Sequence, residues 1–196
     1  MPNTERTSEK EWSNLLQPRL DKALLKNIEG EWTLRACAGE KLTYAHEVSR
    51  YHADDTEKRY SSKYETDLLL YDTNEQGDWI PRVVIELKLA GITTHDALTY
   101  STKASTHKHV HPYLRYGILV GNFDTALPGR LIRHGTYFDF MIVWPAEHPS
   151  KREWSDFVGV LIEEAQASRC LQSLLTESRQ RQRKRYQILH RPLRLK

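Results

Sequence analysis

The sequence contains little cysteine and no long apolar segment. Two of its 196 residues are cysteines, Cys37 and Cys170, and they lie too far apart to form the short-spaced pair typical of a metal site. No apolar run approaches the roughly 18 residues that a membrane-spanning helix needs, and the polar N-terminus carries no apolar signal segment. These absences predict a cytoplasmic protein in a reducing compartment, without a membrane partner.

The charge of the chain is unevenly distributed. The formal net charge is +3, and 39% of the residues are hydrophobic, which is enough to form the core of one domain. Eight Lys and Arg and no acidic residue lie in 179–196, so 21 basic and 26 acidic residues remain elsewhere, a net charge of −5. We expect a single domain over residues 1–178 and a basic tail over 179–196. Either the tail is solvated and has no partner, or it binds a polyanion.

Nucleic acid is the polyanion that the tail composition favours. Cations in such a segment contact phosphates with little sequence preference. A membrane-binding helix needs large apolar anchors along one face, whereas the tail has few aliphatic residues and Pro192 interrupts it. The candidate DNA contacts are therefore Arg181, Arg183, Lys184 and Arg185 in the tail, with Lys103, Arg130 and Arg133 in the body.

Apolar periodicity and turn residues predict a mixed α/β domain. A helical pattern runs from Trp12 to Ile28, restarts at Pro18 and is ended by Gly30. The segment 44–51 fits either a helix or a strand, and the charged segment 53–60 is typical of an exposed loop. The remaining predicted elements are strands Trp32–Cys37, Thr66–Tyr71, Ile80–Leu89, Tyr116–Val120 and Tyr137–Trp144, and helices Thr94–Thr106 and from Ser150 onward.

Two acids and a lysine lie where an apolar strand would not place them. Glu86 and Lys88 are two residues apart, so in a strand their side chains share one face and Leu87 points to the other. If Asp67 on the preceding strand lies opposite Glu86, the connecting turn is centred within Glu75–Gly77. Because that segment is rich in turn residues, the hairpin register that brings the two acids together is also the one that the turn favours.

The paired acids predict a divalent cation. Two carboxylates at cross-strand distance repel each other in a half-buried site unless a cation or a proton neutralises them. Oxygen ligands suit a hard cation, and Mg²⁺ is the usual occupant when a phosphate is also bound. Lys88 beside such a site could orient or deprotonate an attacking water, or stabilise the charge of a pentavalent transition state. The alternative is a surface ion pair, because an acid-x-Lys triplet is common by chance.

These residues resemble the motifs of the PD-(D/E)xK nuclease superfamily, which includes many restriction endonucleases. The matching segments are Glu65–Leu70 and Val83–Lys88, followed by a helix and the strand 116–121. The resemblance covers residues 60–125, and Thr66 stands where the motif has proline. It implies a restriction-endonuclease-like core (αβββαβ), in which a central mixed sheet is flanked by helices.

The resemblance also implies roles for individual residues. Asp67 and Glu86 would be metal ligands together with the backbone carbonyl of Leu87, and Lys88 would be the catalytic lysine. An additional acid often assists in this superfamily, and the candidates here are Glu47 and Glu65. The implied cofactor is Mg²⁺, which Mn²⁺ may replace in such enzymes, and no small-molecule cofactor is implied.

The function predicted from these features is cleavage of double-stranded DNA. The first hypothesis is a type II restriction endonuclease that cuts at a specific sequence, and a two-fold homodimer would suit a palindromic site. The alternatives are a repair or recombination nuclease, a nuclease subunit of a larger system, and a non-catalytic nucleic-acid-binding module. A further cluster, His107-Lys108-His109-Val110-His111, is interpreted as a polar loop or a nucleic-acid contact in preference to a zinc site.

Overall fold

A six-stranded mixed sheet forms the centre of the protein, and helices pack on both of its faces. The structure is a computed structural model and describes residues 7–179, except for the side chain of Ser178. The strands are β1 (Ile28–Glu29), β2 (Trp32–Ala38), β3 (Lys41–Tyr51), β4 (Glu57–Glu65), β5 (Leu68–Thr73), β6 (Trp79–Leu89), β7 (Arg115–Gly121) and β8 (Phe140–Val143). The helices are α1 (Glu9–Leu24), α2 (Thr94–Val110), α3 (Gly129–His134) and α4 (Lys151–Arg179).

The central sheet combines antiparallel and parallel pairings. Its strand order is β1-β2-β5-β6-β7-β8, with antiparallel pairs from β1 to β6 and parallel pairs from β6 to β8. The parallel pair β6–β7 is joined by α2, as a parallel crossover requires. The predicted α/β class, with a central mixed sheet flanked by helices, is therefore confirmed.

The two faces of the sheet have separate cores. On one face α1 and α4 cover apolar side chains that include Ile85 and Leu87, while on the other face Val84 and Tyr116 pack beside Ala104 of α2. Adjacent residues of β6 therefore alternate between the two cores, as the pleat of a strand requires. This alternation directs Glu86 and Lys88 to the α2 face.

The first helix differs from the sequence prediction. It runs without a break through Pro18 and ends at Leu24, whereas Gly30 belongs to the turn between β1 and β2. A proline inside a helix costs about 3 kcal/mol. Trp12, Leu16, Leu20 and Leu24 are all buried along one face, and each such side chain contributes about 1.5–3 kcal/mol. Burial of this face outweighs the hydrogen bond that Pro18 removes.

The segment between β2 and β5 forms a separate two-stranded ribbon. Strands β3 and β4 pair only with each other, so the open choice for 44–51 resolves to a strand. The loop prediction for 53–60 is wrong over residues 57–60, which belong to β4. The charges there are compatible with a strand because both faces of the outer ribbon are exposed.

The β5–β6 hairpin has the predicted register at the end that matters for the site. Leu68 pairs with Ile85, so continuing the register by one residue sets Asp67 beside Glu86. A bulge after Leu70 shifts the pairing by one residue toward the turn, where Gly77 adopts a φ of 87°. The turn centre thus stays within the predicted segment, and the bulge absorbs the extra residue.

Local capping signals are also borne out. Thr93 and Asp96 form the predicted capping box of α2, and Ser150 and Glu153 exchange the corresponding hydrogen bonds at the start of α4. Across residues 7–179, no helix combines the length and the apolar character needed to cross a bilayer. The basic segment ends the chain beyond the described residues, apart from Arg179 at the end of α4.

Candidate active site at the open end of the hairpin

Asp67 and Glu86 meet where the β5–β6 hairpin opens. Glu86 is only 1% exposed and lies on the α2 face of β6, while Leu87 is buried in the opposite core. Asp67 directly precedes β5, and its side chain accepts a 2.7 Å hydrogen bond at Oδ2 from the Leu87 amide. The two carboxylates, one half-buried and one buried, therefore share one site that is fixed by the register of the hairpin.

The environment of Asp67 disfavours its ionised form. Burial and the neighbouring charge of Glu86 raise the pKa of the Asp67 carboxyl from 3.8 to about 6, against the opposing effect of the Leu87 hydrogen bond. The backbone is held from the other side, because Ser13 of α1 donates a 2.7 Å hydrogen bond to the Asp67 carbonyl oxygen. The backbone at Asp67 is thus attached to α1, and the surroundings of its carboxyl favour the protonated form.

Glu86 is held by two donors from the α2 face. The Tyr116 hydroxyl donates a hydrogen bond to Glu86 Oε1, and the ammonium of Lys103 lies 2.8 Å from the same oxygen. Burial, with the negative charge of Glu86, raises the pKa of Tyr116 well above its usual range, so this hydroxyl remains a donor at neutral pH. The position of Glu86 is therefore defined by β7 and α2 as well as by its own strand.

Lys88 lies beside the acids but pairs with a different residue. Its Nζ is 3.1 Å from Glu9 Oε1 and 3.9 Å from Asp96 Oδ1, and it lies 5.1 Å from the centre of the Tyr100 ring. Burial opposes the charged form, but contacts with Tyr100 and Glu9 outweigh it and raise the pKa of Lys88. Lys88 is consequently an ammonium at neutral pH.

Glu9 is a site residue that the sequence analysis missed. It lies in the first turn of α1, within a polar segment that has no apolar pattern to reveal a helix. The available signal was Ser8 with Glu11, which form a capping box and start the helix directly before Glu9. No sequence signal links Glu9 to Lys88, since the contact joins residues 79 positions apart.

The two acids predicted as additional ligands occupy other surroundings. Glu47 is an exposed residue of β3 and lies opposite Tyr60. Glu65 is exposed at the end of β4; its carbonyl oxygen accepts a 3.0 Å hydrogen bond from Lys103, while its side chain lies near Gly39. Instead, Glu9 in the first turn of α1 lies close to the site, with its Oε1 3.1 Å from Lys88 Nζ.

The candidate DNA contacts have different locations. Lys103 lies inside the site, against Glu86, whereas Arg130 and Arg133 are exposed on α3. The four candidates of the tail, Arg181, Arg183, Lys184 and Arg185, lie outside the described residues. DNA contact at each of these positions stays a prediction.

The histidine cluster is not a loop. Its residues form the last turn and the C-terminal cap of α2, and His107 is completely buried. Nδ1 of His107 and Nε2 of His111 lie 3.3 Å and 3.1 Å from the carbonyl oxygen of Thr43, to which each ring N–H donates. Burial lowers the pKa of His107 from 6.5 to about 4. These histidines attach the β3–β4 ribbon to α2.

The donor chemistry of the site fits a hard divalent cation. Within residues 7–179 no group of three or more His, Cys, Asp or Glu side chains is arranged to hold a metal ion. Mg²⁺ commonly binds through one or two carboxylates and completes its shell with water and substrate phosphate. Asp67 and Glu86 are such a pair, and a bound cation would oppose the effect of burial and of the Glu86 charge, which together raise the pKa of Asp67. A role for the Leu87 carbonyl stays a prediction.

Comparison of the chain with known protein families and with curated proteins gives no match. The function is therefore inferred from the site geometry and from the motif resemblance alone.

Proposed function

We propose that this protein is a Mg²⁺-dependent DNA endonuclease of the PD-(D/E)xK type, and that it cuts double-stranded DNA at a specific sequence as type II restriction endonucleases do. The observation that carries the proposal is the convergence of Asp67, Glu86 and Lys88 at the open end of one hairpin. Two acids can hold a metal ion, and a lysine can stabilise charge in the transition state of phosphodiester hydrolysis.

Each of the three residues has a role in this proposal. Asp67 and Glu86 would hold Mg²⁺, with the Leu87 carbonyl as a further ligand. When bound, Mg²⁺ supplies Lewis-acid stabilisation of charge on the phosphate and lowers the pKa of a coordinated water. Because its pKa is raised, Lys88 does not accept a proton from water at neutral pH. It orients the attacking water and stabilises negative charge in the transition state.

Glu9 is a positioning residue in the proposed site. Its carboxylate lies 3.1 Å from Lys88 Nζ and keeps the ammonium at the edge of the site. The lysine is therefore not drawn into an ion pair with Glu86, whose own ammonium partner is Lys103. The ammonium of Lys88 thus stays beside the proposed metal site and pairs with neither Asp67 nor Glu86.

The order of elements supports the finer part of the fold assignment. The sequence α1, β2, β5, β6, α2, β7 follows the αβββαβ order of a restriction-endonuclease-like core, with the β3–β4 ribbon inserted after the first strand. The candidate site then lies on the second and third strands of that core, where the resemblance requires it. The basic segment at the end of the chain would add contacts to DNA phosphates.

A non-catalytic nucleic-acid-binding module is the second candidate. It is favoured by one observation: Lys103 pairs with Glu86 and Lys88 pairs with Glu9, so the site is largely neutralised by its own side chains. Such a network could be purely structural. The two functions differ in whether DNA is cut.

Plasmid cleavage with Mg²⁺ tests the proposal. We expect wild type to cut, and we expect Lys88→Ala and Asp67→Asn to lose about 100-fold or more of the rate, because each removes charge that acts in the transition state. Lys108→Ala is the matched control, since Lys108 lies on α2 and pairs with Asp139, not with Asp67 or Glu86. Ca²⁺ should support binding without cleavage.

The outcomes separate the candidates. Tight DNA binding by a wild-type protein that never cuts would favour the binding module. Cleavage that survives both site substitutions would show that the active site lies elsewhere. Discrete fragments from a large DNA would favour a restriction enzyme over a repair nuclease, which recognises structure.

A further inference from the structure

Lys103 is the cation nearest to the paired acids. Its Nζ lies 2.8 Å from Glu86 Oε1 and donates a 3.0 Å hydrogen bond to the Glu65 carbonyl oxygen. Its side chain is 15% exposed and that of Glu86 is 1% exposed, so the ion pair is largely removed from solvent. Lys103 therefore neutralises the Glu86 carboxylate, whereas Lys88 pairs with Glu9.

The ion pair explains how the acids coexist in the folded chain. A buried carboxylate without a partner is strongly destabilising, and a second carboxylate beside it adds repulsion. Lys103 supplies a full positive charge, and the Tyr116 hydroxyl supplies a neutral donor. A divalent cation at the same oxygens would meet repulsion from this ammonium at short range, where the effective dielectric constant is well below that of water.

The surroundings of Lys103 provide partners other than Glu86. Besides the Glu65 carbonyl, the rings of Tyr64 and Tyr100 lie 5.7 Å and 6.0 Å from its Nζ, within the range of cation–π attraction. If the side chain rotates away from Glu86, the Glu65 carbonyl and the two rings are nearby groups that can stabilise the ammonium. The same rotation frees one positive charge for a phosphate.

We infer that Lys103 is the resident counter-ion of the Asp67–Glu86 pair, and that a divalent cation binds by displacing its ammonium from Glu86. The inference rests on the proposed metal site and goes beyond it, because it assigns Lys103 a gating role. It implies that metal binding is weak while Lys103 has no other anion to contact. It also implies that DNA phosphate and metal bind with positive coupling, since the phosphate offers the displaced ammonium a new partner.

Calcium binding without DNA tests the inference, with the Ca²⁺ dissociation constant measured by calorimetry and by the thermal shift that Ca²⁺ produces. We compare wild type with Lys103→Gln, whose amide can still donate hydrogen bonds but carries no charge. Lys103→Arg restores the charge. Lys108→Gln is the matched control on the same helix, where Lys108 lies 2.8 Å from Asp139.

The expected result is that Lys103→Gln binds Ca²⁺ at least about 10-fold more tightly than wild type and gains a larger thermal shift. Lys103→Arg and Lys108→Gln should behave as wild type does. If Lys103→Gln does not fold without metal, folding rescued by Ca²⁺ supports the inference, and no rescue contradicts it. Equal or weaker binding by Lys103→Gln, or no binding by any variant, overturns it.

Cleavage measured on the same preparations separates this inference from the proposed function. Tighter Ca²⁺ binding by Lys103→Gln, together with a wild type that does not cut DNA, supports the counter-ion role and contradicts the nuclease. Cleavage by wild type, together with unchanged Ca²⁺ affinity in Lys103→Gln, supports the nuclease and contradicts the counter-ion role.

Discussion

Asp67 and Glu86 are residues at which the proposed function and folding stability oppose each other. An apolar pair would stabilise this end of the hairpin, but the chain places two carboxylates there and neutralises them with Lys103 and Tyr116. The opposition is visible in the raised pKa of Asp67, which burial and Glu86 cause. Perturbed acids in such surroundings are typical of functional sites.

The pH dependence of folding stability measures the free-energy cost of placing the ionised Asp67 carboxylate in these surroundings. The pKa of Asp67 is about 6 in the folded chain against an ordinary value of 3.8. The folded state therefore binds the proton of the Asp67 carboxyl more tightly than the unfolded state does. The stability that this proton contributes is complete below pH 4 and is lost as the pH rises through 6. We expect Asp67→Asn to stabilise the metal-free protein by ~1–3 kcal/mol at pH 8 and by little at pH 4.

Urea denaturation of wild type and Asp67→Asn across this pH range provides the measurement. The Asn side chain keeps an acceptor for the Leu87 amide, so the comparison isolates the charge. A variant that is less stable than wild type at pH 8 would mean that the Asp67 carboxylate stabilises the fold, contrary to our account.

At the scale of elements, local sequence signals predicted those features that local physics decides. The capping pairs Thr93–Asp96 and Ser150–Glu153 start their helices as expected. The turn lies in the predicted segment, but the register at Asp67 also depends on the bulge after Leu70, which the sequence did not predict. The predicted helix break at Pro18 and the predicted loop over 57–60 were wrong, because tertiary contacts decide both features. Burial of its apolar face preserves α1, and pairing with β3 makes β4 a strand.

One buried acid links α4 to the sheet, in addition to the apolar contacts of the helix. Asp72 of β5 is 1% exposed and lies 2.6 Å from Arg82 and 2.5 Å from Arg169 of α4. Asp72→Asn would remove the negative charge that the guanidinium groups of Arg82 and Arg169 both contact. We expect a loss of about 3–5 kcal/mol in the free energy of unfolding, measured by urea denaturation.

Asp156→Asn serves as the control for that prediction. Asp156 lies 4.0 Å from Arg152 on the exposed side of α4, so its loss should change the free energy of unfolding by about 0.5 kcal/mol or less. A similar small effect for Asp72→Asn would show that the buried cluster does not hold α4 to the sheet.

At the scale of the whole molecule, the site is assembled from three parts of the chain. The hairpin contributes Asp67, Glu86 and Lys88, which sequence spacing was able to predict. α1 contributes Glu9 and α2 places Lys103 against Glu86, and the sequence could not predict these contacts because they join residues far apart in the chain. The acids and the lysine were thus predictable as a motif, whereas the pairing of each charge depends on the packing of both helix layers.

Single-turnover cleavage of duplex DNA by wild type and Glu86→Gln tests the central claim most directly. Gln keeps the size of the side chain and removes the charge that would hold Mg²⁺, and Glu31→Gln in the exposed β1–β2 turn is the control. We predict Mg²⁺-dependent cleavage by wild type and Glu31→Gln, and a rate at least about 100-fold lower for Glu86→Gln, with DNA still bound in Ca²⁺. Cleavage by Glu86→Gln at the wild-type rate would contradict the account.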